Sequence, residues 1–124
     1  MFVLDYKTKI PIYEQIQDQV ISFIALGLFK PNEQLPAVRQ LATDLGVNPN
    51  TVAKAYQQLE HLGYIVSQTG RGSFISDNRS SIELLKQEYF NQFELVINKL
   101  QSLNVPYPQV NELLLSLYKE EESL

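Results

Sequence analysis

Apolar residues return at three- and four-residue steps in five separate stretches of the chain, and each stretch predicts a helix. Ile12, Ile16, Val20, Phe23 and Ile24 predict a first helix over residues 11–25, opened by Pro11 at its first position and ended near Gly27. Val38, Leu41, Ala42 and Leu45 mark a short second helix from Ala37, which Gly46 closes in the left-handed conformation. Asn48 then stands as an N-cap before Pro49, and Val52, Ala55, Tyr56, Leu59 and Leu62 carry a third helix to Gly63. Ser80 and Glu83 make a capping box ahead of Ile82, Leu85, Tyr89, Phe93, Val96, Leu100 and Leu103, a fourth helix of about six turns. Val110, Leu113, Leu114 and Leu117 predict a short fifth helix before the acidic Glu120, Glu121 and Glu122.

The connections are equally patterned. Residues 29–36 hold two prolines with an Asn between them and predict a turn-rich connector, with Leu35 directed into the core. After Gly63 the period shortens: residues 65–68 and 73–76 predict two strands around Thr69, Gly70, Arg71 and Gly72, a β-hairpin with an arginine at its tip. Residues 104–108 contain Pro106 and Pro108 and are expected to break the fourth helix. The apolar stripe of that helix is widened by Leu84, Phe90 and Ile97 beyond what one small neighbour covers, which implies a partner surface.

Composition narrows the function. With 124 residues, 44% apolar and 19% charged, the chain is expected to form a compact domain with an appendage, not a disordered tail or a multidomain enzyme. There is no cysteine, so disulfides, thiolate zinc sites, iron–sulfur clusters and a thiol nucleophile are excluded. His61 is the only histidine, so no metal site is expected, and the carboxylates Glu83, Glu88, Glu94 and Glu112 have no base or nucleophile beside them. Neither a leader pattern at residues 1–7 nor a membrane-length apolar run is visible, which predicts a cytoplasmic protein. The formal charge of -4 opposes a nucleic-acid partner until it is divided along the chain. Residues 1–79 carry seven basic and seven acidic groups, and residues 80–124 carry three and seven, so the whole excess lies in the tail.

Two short helices joined through Gly46, followed at once by a hairpin, is the element order of a winged helix-turn-helix. In that arrangement the apolar faces of the second and third helices are buried against the first, and the start of the third protrudes. Its polar face reads Asn48, Asn50, Thr51, Lys54, Gln57 and Gln58. Amides and a hydroxyl can exchange hydrogen bonds with base edges, Lys54 can reach guanine or phosphate, and free N–H groups at the helix start attract phosphate.

The residues also carry a family likeness. Leu35-Pro36-Ala37-Val38-Arg39-Gln40-Leu41-Ala42, Leu45-Gly46-Val47-Asn48-Pro49-Asn50-Thr51-Val52-Ala53-Lys54-Ala55-Tyr56, Leu59-Glu60 and Gly63 resemble the DNA-binding domain of the GntR family. The opening Pro11-Ile12-Tyr13-Glu14-Gln15-Ile16 and the short helical tail resemble its YtrA-type branch. The resemblance implies a mainly α fold with a small β-hairpin: a winged helix-turn-helix domain over residues 1–78 and a two-helix dimerisation segment over residues 79–124. It implies DNA contacts from Arg39, Asn48, Pro49, Asn50, Thr51, Lys54, Gly70, Arg71 and Gly72, and pairing of subunits through Leu85, Tyr89, Phe93, Val96 and Leu100. Asn32 stands where the family often has glycine, and Ala37 where it often has serine, so Ala37 can neither cap the second helix nor offer a hydroxyl to phosphate.

The expectation is a bacterial homodimeric repressor that binds an inverted-repeat operator, with no cofactor, no metal and no membrane partner. Either a small-molecule effector or the level of dimer alone would set occupancy. The alternative is a winged-helix protein-interaction module without specific DNA binding, favoured by the absence of net positive charge. Some chains of the family it resembles carry an aminotransferase-like domain, but the 45 residues 80–124 cannot house a pyridoxal-phosphate site, so no enzyme is expected.

Overall fold

The computed structural model describes residues 1–77 and 79–122, without the side chains of Ser80 and residues 120–122. The elements run α1 (Ile12–Ala25), α2 (Val38–Leu45), α3 (Pro49–His61), β1 (Ile65–Gln68), β2 (Gly72–Ile75), α4 (Arg79–Ser102) and α5 (Tyr107–Glu122). They fall into two compact units, Met1–Leu84 and Leu85–Leu124.

In the first unit α3 is the central helix: α1, α2 and β1 all pack on it. Its stripe of Val52, Ala55, Tyr56 and Leu59 is buried throughout, with Val52, Ala55 and Leu59 fully inaccessible. The expectation that α2 and α3 both lie against α1 is therefore corrected, because α2 packs chiefly on α3. Ile16 and Val20 of α1, Ile65 of β1 and Ile75 of β2 complete the fully buried set. Each such Val, Leu or Ile side chain contributes about 1.5–3 kcal/mol by leaving water.

Gly46 separates α2 from α3 at φ 67 and ψ 36, and the N–H of Val47 donates to the carbonyl of Ala42 at 3.0 Å. A Cβ-bearing residue would be strained there, and without that reversal the two helices could not meet at their angle. At the other end of α2 nothing caps the first turn: Ala37 offers no side-chain hydrogen bond, as its methyl group dictates.

The hairpin pairs Ile65 with Ile75, Val66 with Phe74, Ser67 with Ser73 and Gln68 with Gly72. The connector before α2 is not the simple turn expected from its prolines. Asn32, at φ 69, donates to the carbonyl of Ile75 at 2.7 Å, Ile75 donates to Glu33 at 2.8 Å and Leu35 donates to Ser73 at 2.9 Å. Gln34 and Phe74 thereby form an isolated antiparallel bridge, and residues 32–35 satisfy the open edge of β2. Leu35 is buried, as its apolar character predicts.

Residues 1–10 also dock on the domain. Gln15, the one buried polar side chain among the described residues, accepts from the Asp5 N–H at 2.9 Å and donates to the carbonyls of Asp5 and Ile10 at 2.8 and 2.9 Å. One turn on, the Gln19 amide accepts from the Val3 N–H at 2.9 Å and donates to the Val3 carbonyl. Both glutamines act as strand partners for a segment that has none. The ring of Phe2 meets Phe23 edge-on at 5.3 Å, and Phe23 meets Phe29 at 5.5 Å.

α4 begins at Arg79, one residue ahead of the expected cap, and Ile82 in its first turn is buried in the core of the first unit. The capping side chain of Ser80 lies outside the described residues. Residues 104–108 do not form one break. Asn104 at φ 63 ends α4 and the N–H of Val105 closes onto Leu100 at 3.0 Å, whereas Tyr107 and Pro108 already open α5. Proline is at home in a first helical turn, so α5 is longer than expected, at 16 residues. Among the described residues of the second unit none is buried. Leu85 and Leu100 are half-buried, and Tyr89, Phe93 and Val96 are exposed by 60%, 46% and 54%.

Candidate nucleic-acid interface

Asn48 caps α3 as its side-chain chemistry predicts: Oδ1 accepts from the Asn50 N–H at 2.8 Å, and the Asn48 carbonyl accepts from the Thr51 N–H at 2.9 Å. Pro49 has no N–H to offer. The donors at the start of α3 are thus already engaged, which corrects the expectation that they are free to attract phosphate. That opening lies instead on α2. Among the described residues no group accepts from the N–H groups of Val38, Arg39 and Gln40, because Ala37 cannot. Three unengaged donors and the exposed guanidinium of Arg39 share one helix start, where the peptide dipoles also favour an anion.

The outward face of α3 gathers side chains in one open depression of about 580 Å3, lined by Asn50, Ala53, Lys54, Gln57, Gln58 and His61. Three carboxamides and one ammonium on a single face match the donor and acceptor needs of base edges. Thr51 is half-buried and does not line the depression. His61, given no chemistry by its isolation in the sequence, joins this face because it stands one turn beyond Gln57.

Lys54 is not a free cation. Its Nζ lies 4.0 Å from the centre of the Tyr13 ring, so α1 holds the ammonium through the ring's negative face. The sequence places Tyr13 in the opening motif of the first helix but gives no sign of its contact with Lys54.

At the wing tip the Arg71 N–H donates to Gln68 at 2.9 Å, and its guanidinium lies 5.8 Å from the ring of Phe74. A Cβ at Gly72, whose φ is 115, would come within 2.7 Å of Gln34 Nε2, so the Gln34 amide could keep its place only against a glycine. That Nε2 donates to the Arg71 carbonyl at 2.8 Å. Gln34 was missed in the sequence because nothing in a connector marks its register to a hairpin 37 residues away.

Tyr56 links the core to α2. Its hydroxyl donates to the Pro36 carbonyl at 2.7 Å, and burial pushes its pKa upward, so it stays protonated and keeps donating. Arg39 on α2, the polar face of α3 and Arg71 on the wing are therefore carried by three elements tied to one another through Tyr56, Gly46 and Gln34.

Comparison with known proteins agrees with this geometry. Residues 12–75 match the family model for bacterial regulatory proteins of the gntR family. Over 78 residues the chain is 47% identical to the HTH-type transcriptional repressor YtrA of Bacillus subtilis, a match covering 63% of this chain and 60% of YtrA. Among solved structures, a GntR family transcriptional regulator from Listeria monocytogenes superposes with a TM-score of 0.73 at 29% identity, covering 91% of this chain and 98% of that one. The AraR DNA-binding domain, solved in complex with an operator, superposes with a TM-score of 0.53 at 28% identity, covering 61% of this chain and 93% of its own. A winged helix-turn-helix with this element order, and a family match across more than half its length, place the chain in the gntR family of bacterial transcriptional regulators.

Proposed function

We propose that the protein is a cytoplasmic homodimeric repressor that binds an inverted-repeat operator, with α3 in the major groove and the hairpin wing on the flanking duplex. The carrying observation is the three-part cationic and amide surface: the uncapped α2 start with Arg39, the α3 face of Asn50, Lys54, Gln57 and Gln58, and Arg71 at the tip. In this reading Arg39 and the α2 amides take a phosphate, and the carboxamides of α3 read base edges. Asn48 and Pro49 set the start of α3, Thr51 stands at its edge, and Gly70 and Gly72 let the tip approach the duplex. The solved AraR domain supports the reading, because a domain of the same fold is seen there with an operator.

The second unit supports dimerisation. Tyr89, Phe93 and Val96 are exposed on α4, and Leu113, Leu117 and Tyr118 on α5 by 60%, 54% and 63%. Exposure of that many large apolar side chains on two helices is costly in water and is relieved by a second copy. Leu85 and Leu100 extend the same stripe of α4. Two-fold pairing makes the preferred site an inverted repeat.

The test is selection of bound duplexes from a random pool at physiological salt, in parallel with an Arg39→Ala/Arg71→Ala double variant of unchanged thermal midpoint. An enriched inverted repeat that the variant fails to enrich is the expected result. No enrichment by either protein would overturn the operator reading and favour a protein-interaction module.

A further inference from the structure

We infer that Gln34 is a positioning residue for the wing, fixing the tip that carries Arg71 to the stretch of chain that enters α2 and presents Arg39. The inference rests on the proposed DNA contacts of those two arginines.

The wing is a hairpin of two four-residue strands, a size that is marginal in water. Beyond the Gln68–Gly72 pairing that ends the ladder, its turn is closed by a bond from the Arg71 N–H to the Gln68 carbonyl. The Gln34 amide adds a tether from outside the hairpin, Nε2 donating to the Arg71 carbonyl at 2.8 Å. The register behind it is set by backbone bonds on both sides of Gln34, from Ile75 to Glu33 and from Leu35 to Ser73. Gly72 leaves the space in which Nε2 sits, and any side chain there would expel it.

From Gln34 the path to Arg39 is short and stiff. Pro36 has a fixed φ, its carbonyl is held by Tyr56 at 2.7 Å, and α2 starts two residues later. Gln34 is itself exposed, so its hydrogen bond satisfies no buried group and adds little to stability. What it changes is the freedom of the tip. A wing held in place places Arg71 on the duplex without first ordering the turn, and that saving appears as affinity.

Gln34→Ala and Gln34→Glu, the second of the same shape but without the donor, test this in the full chain. Without DNA, backbone relaxation by NMR is expected to show lower order at residues 70–72 in both variants while the thermal midpoint barely moves. Unchanged order in both variants overturns the inference. With the selected duplex, affinity is expected to fall by about three- to tenfold in the wild-type background and by nothing further in an Arg71→Ala background. A full additional loss in the Arg71→Ala background overturns it too, since Gln34 would then touch DNA itself. If the wild-type protein enriches no duplex, the operator reading fails, and the order measurement alone still decides the role of Gln34.

Discussion

Tyr13 and Lys54 show how one contact divides a side chain between fold and function. The ring holds the ammonium at 4.0 Å on the face that is open to a duplex, so Lys54 is ordered before any partner arrives. Tyr13→Phe keeps the ring face and is expected to change little, whereas Tyr13→Leu should cost about 0.5–1 kcal/mol. A double-mutant cycle with Lys54→Met in urea denaturation measures that coupling directly. Ala37 offers the opposite case, a position where the present residue leaves stability unclaimed. Ala37→Ser supplies the missing cap of α2 and is expected to add about 1 kcal/mol, seen as a higher urea midpoint at unchanged slope. Asp18 is exposed on α1, yet its carboxyl pKa is raised above 3.8, first by partial burial and then by the charge of Glu14 one turn away. The folded state therefore binds that proton more tightly than the unfolded chain does. Its contribution is fully present below the unfolded pKa and is lost as pH rises through the raised folded value. Asp18→Asn should thus stabilise the protein by a few tenths of a kcal/mol at neutral pH and by nothing near pH 3, which thermal melts at the two pH values will check.

At the scale of elements, the domain is held by tethers that join irregular segments to helices. Gln15 makes three hydrogen bonds to residues 5 and 10, and its loss leaves three backbone groups without partners in a partly buried place. Gln15→Leu is expected to cost about 2–3 kcal/mol and to speed hydrogen exchange at the Asp5 amide, while exchange at Leu59 follows only the global change. α2 and α3 are set by Gly46 and by the Tyr56 hydroxyl, one acting through backbone conformation and the other through a hydrogen bond across 20 residues. The wing depends on the connector in the same way, through residues 32–35 on the edge of β2.

For the whole molecule the division of charge and of apolar surface matters most. The first 79 residues are balanced and the tail is acidic, so DNA binding by this protein is expected to rely on a few placed cations rather than on a general positive field. With about three cationic contacts per subunit, log K should fall with log salt at a slope near -5 for a dimer. Filter binding between low and physiological salt measures it. The exposed aromatic stripe of α4 carries the pairing argument, and Phe93→Glu places a charge in it. Light scattering should then report a monomer with a normally folded first unit, and operator affinity should fall with the loss of the second half-site contact. A variant that remains dimeric would move the interface off this face.

Helix number, order and type were written in the sequence, because each is a local matter of period, cap and breaker. Asn48, Pro49 and Gly46 specify their junction through nearest-neighbour chemistry alone, and the structure places them as that chemistry requires. The polar face of α3 and the arginine of the hairpin tip could be placed from spacing, as a helix face and a turn tip, whereas Arg39 was singled out only by the family likeness of its motif. What needed the tertiary structure were relations between segments distant in the chain. The docking of residues 1–10 on Gln15 and Gln19, the third edge on β2, the Tyr13 ring under Lys54 and the Gln34 tether on Arg71 have no periodic signal, since each joins separate segments through groups up to 43 residues apart. The same holds for the helix start that is open to an anion. Sequence shows a cap at Asn48 and none at Ala37, and the folded chain adds that no distant group among the described residues engages the donors that α2 leaves open.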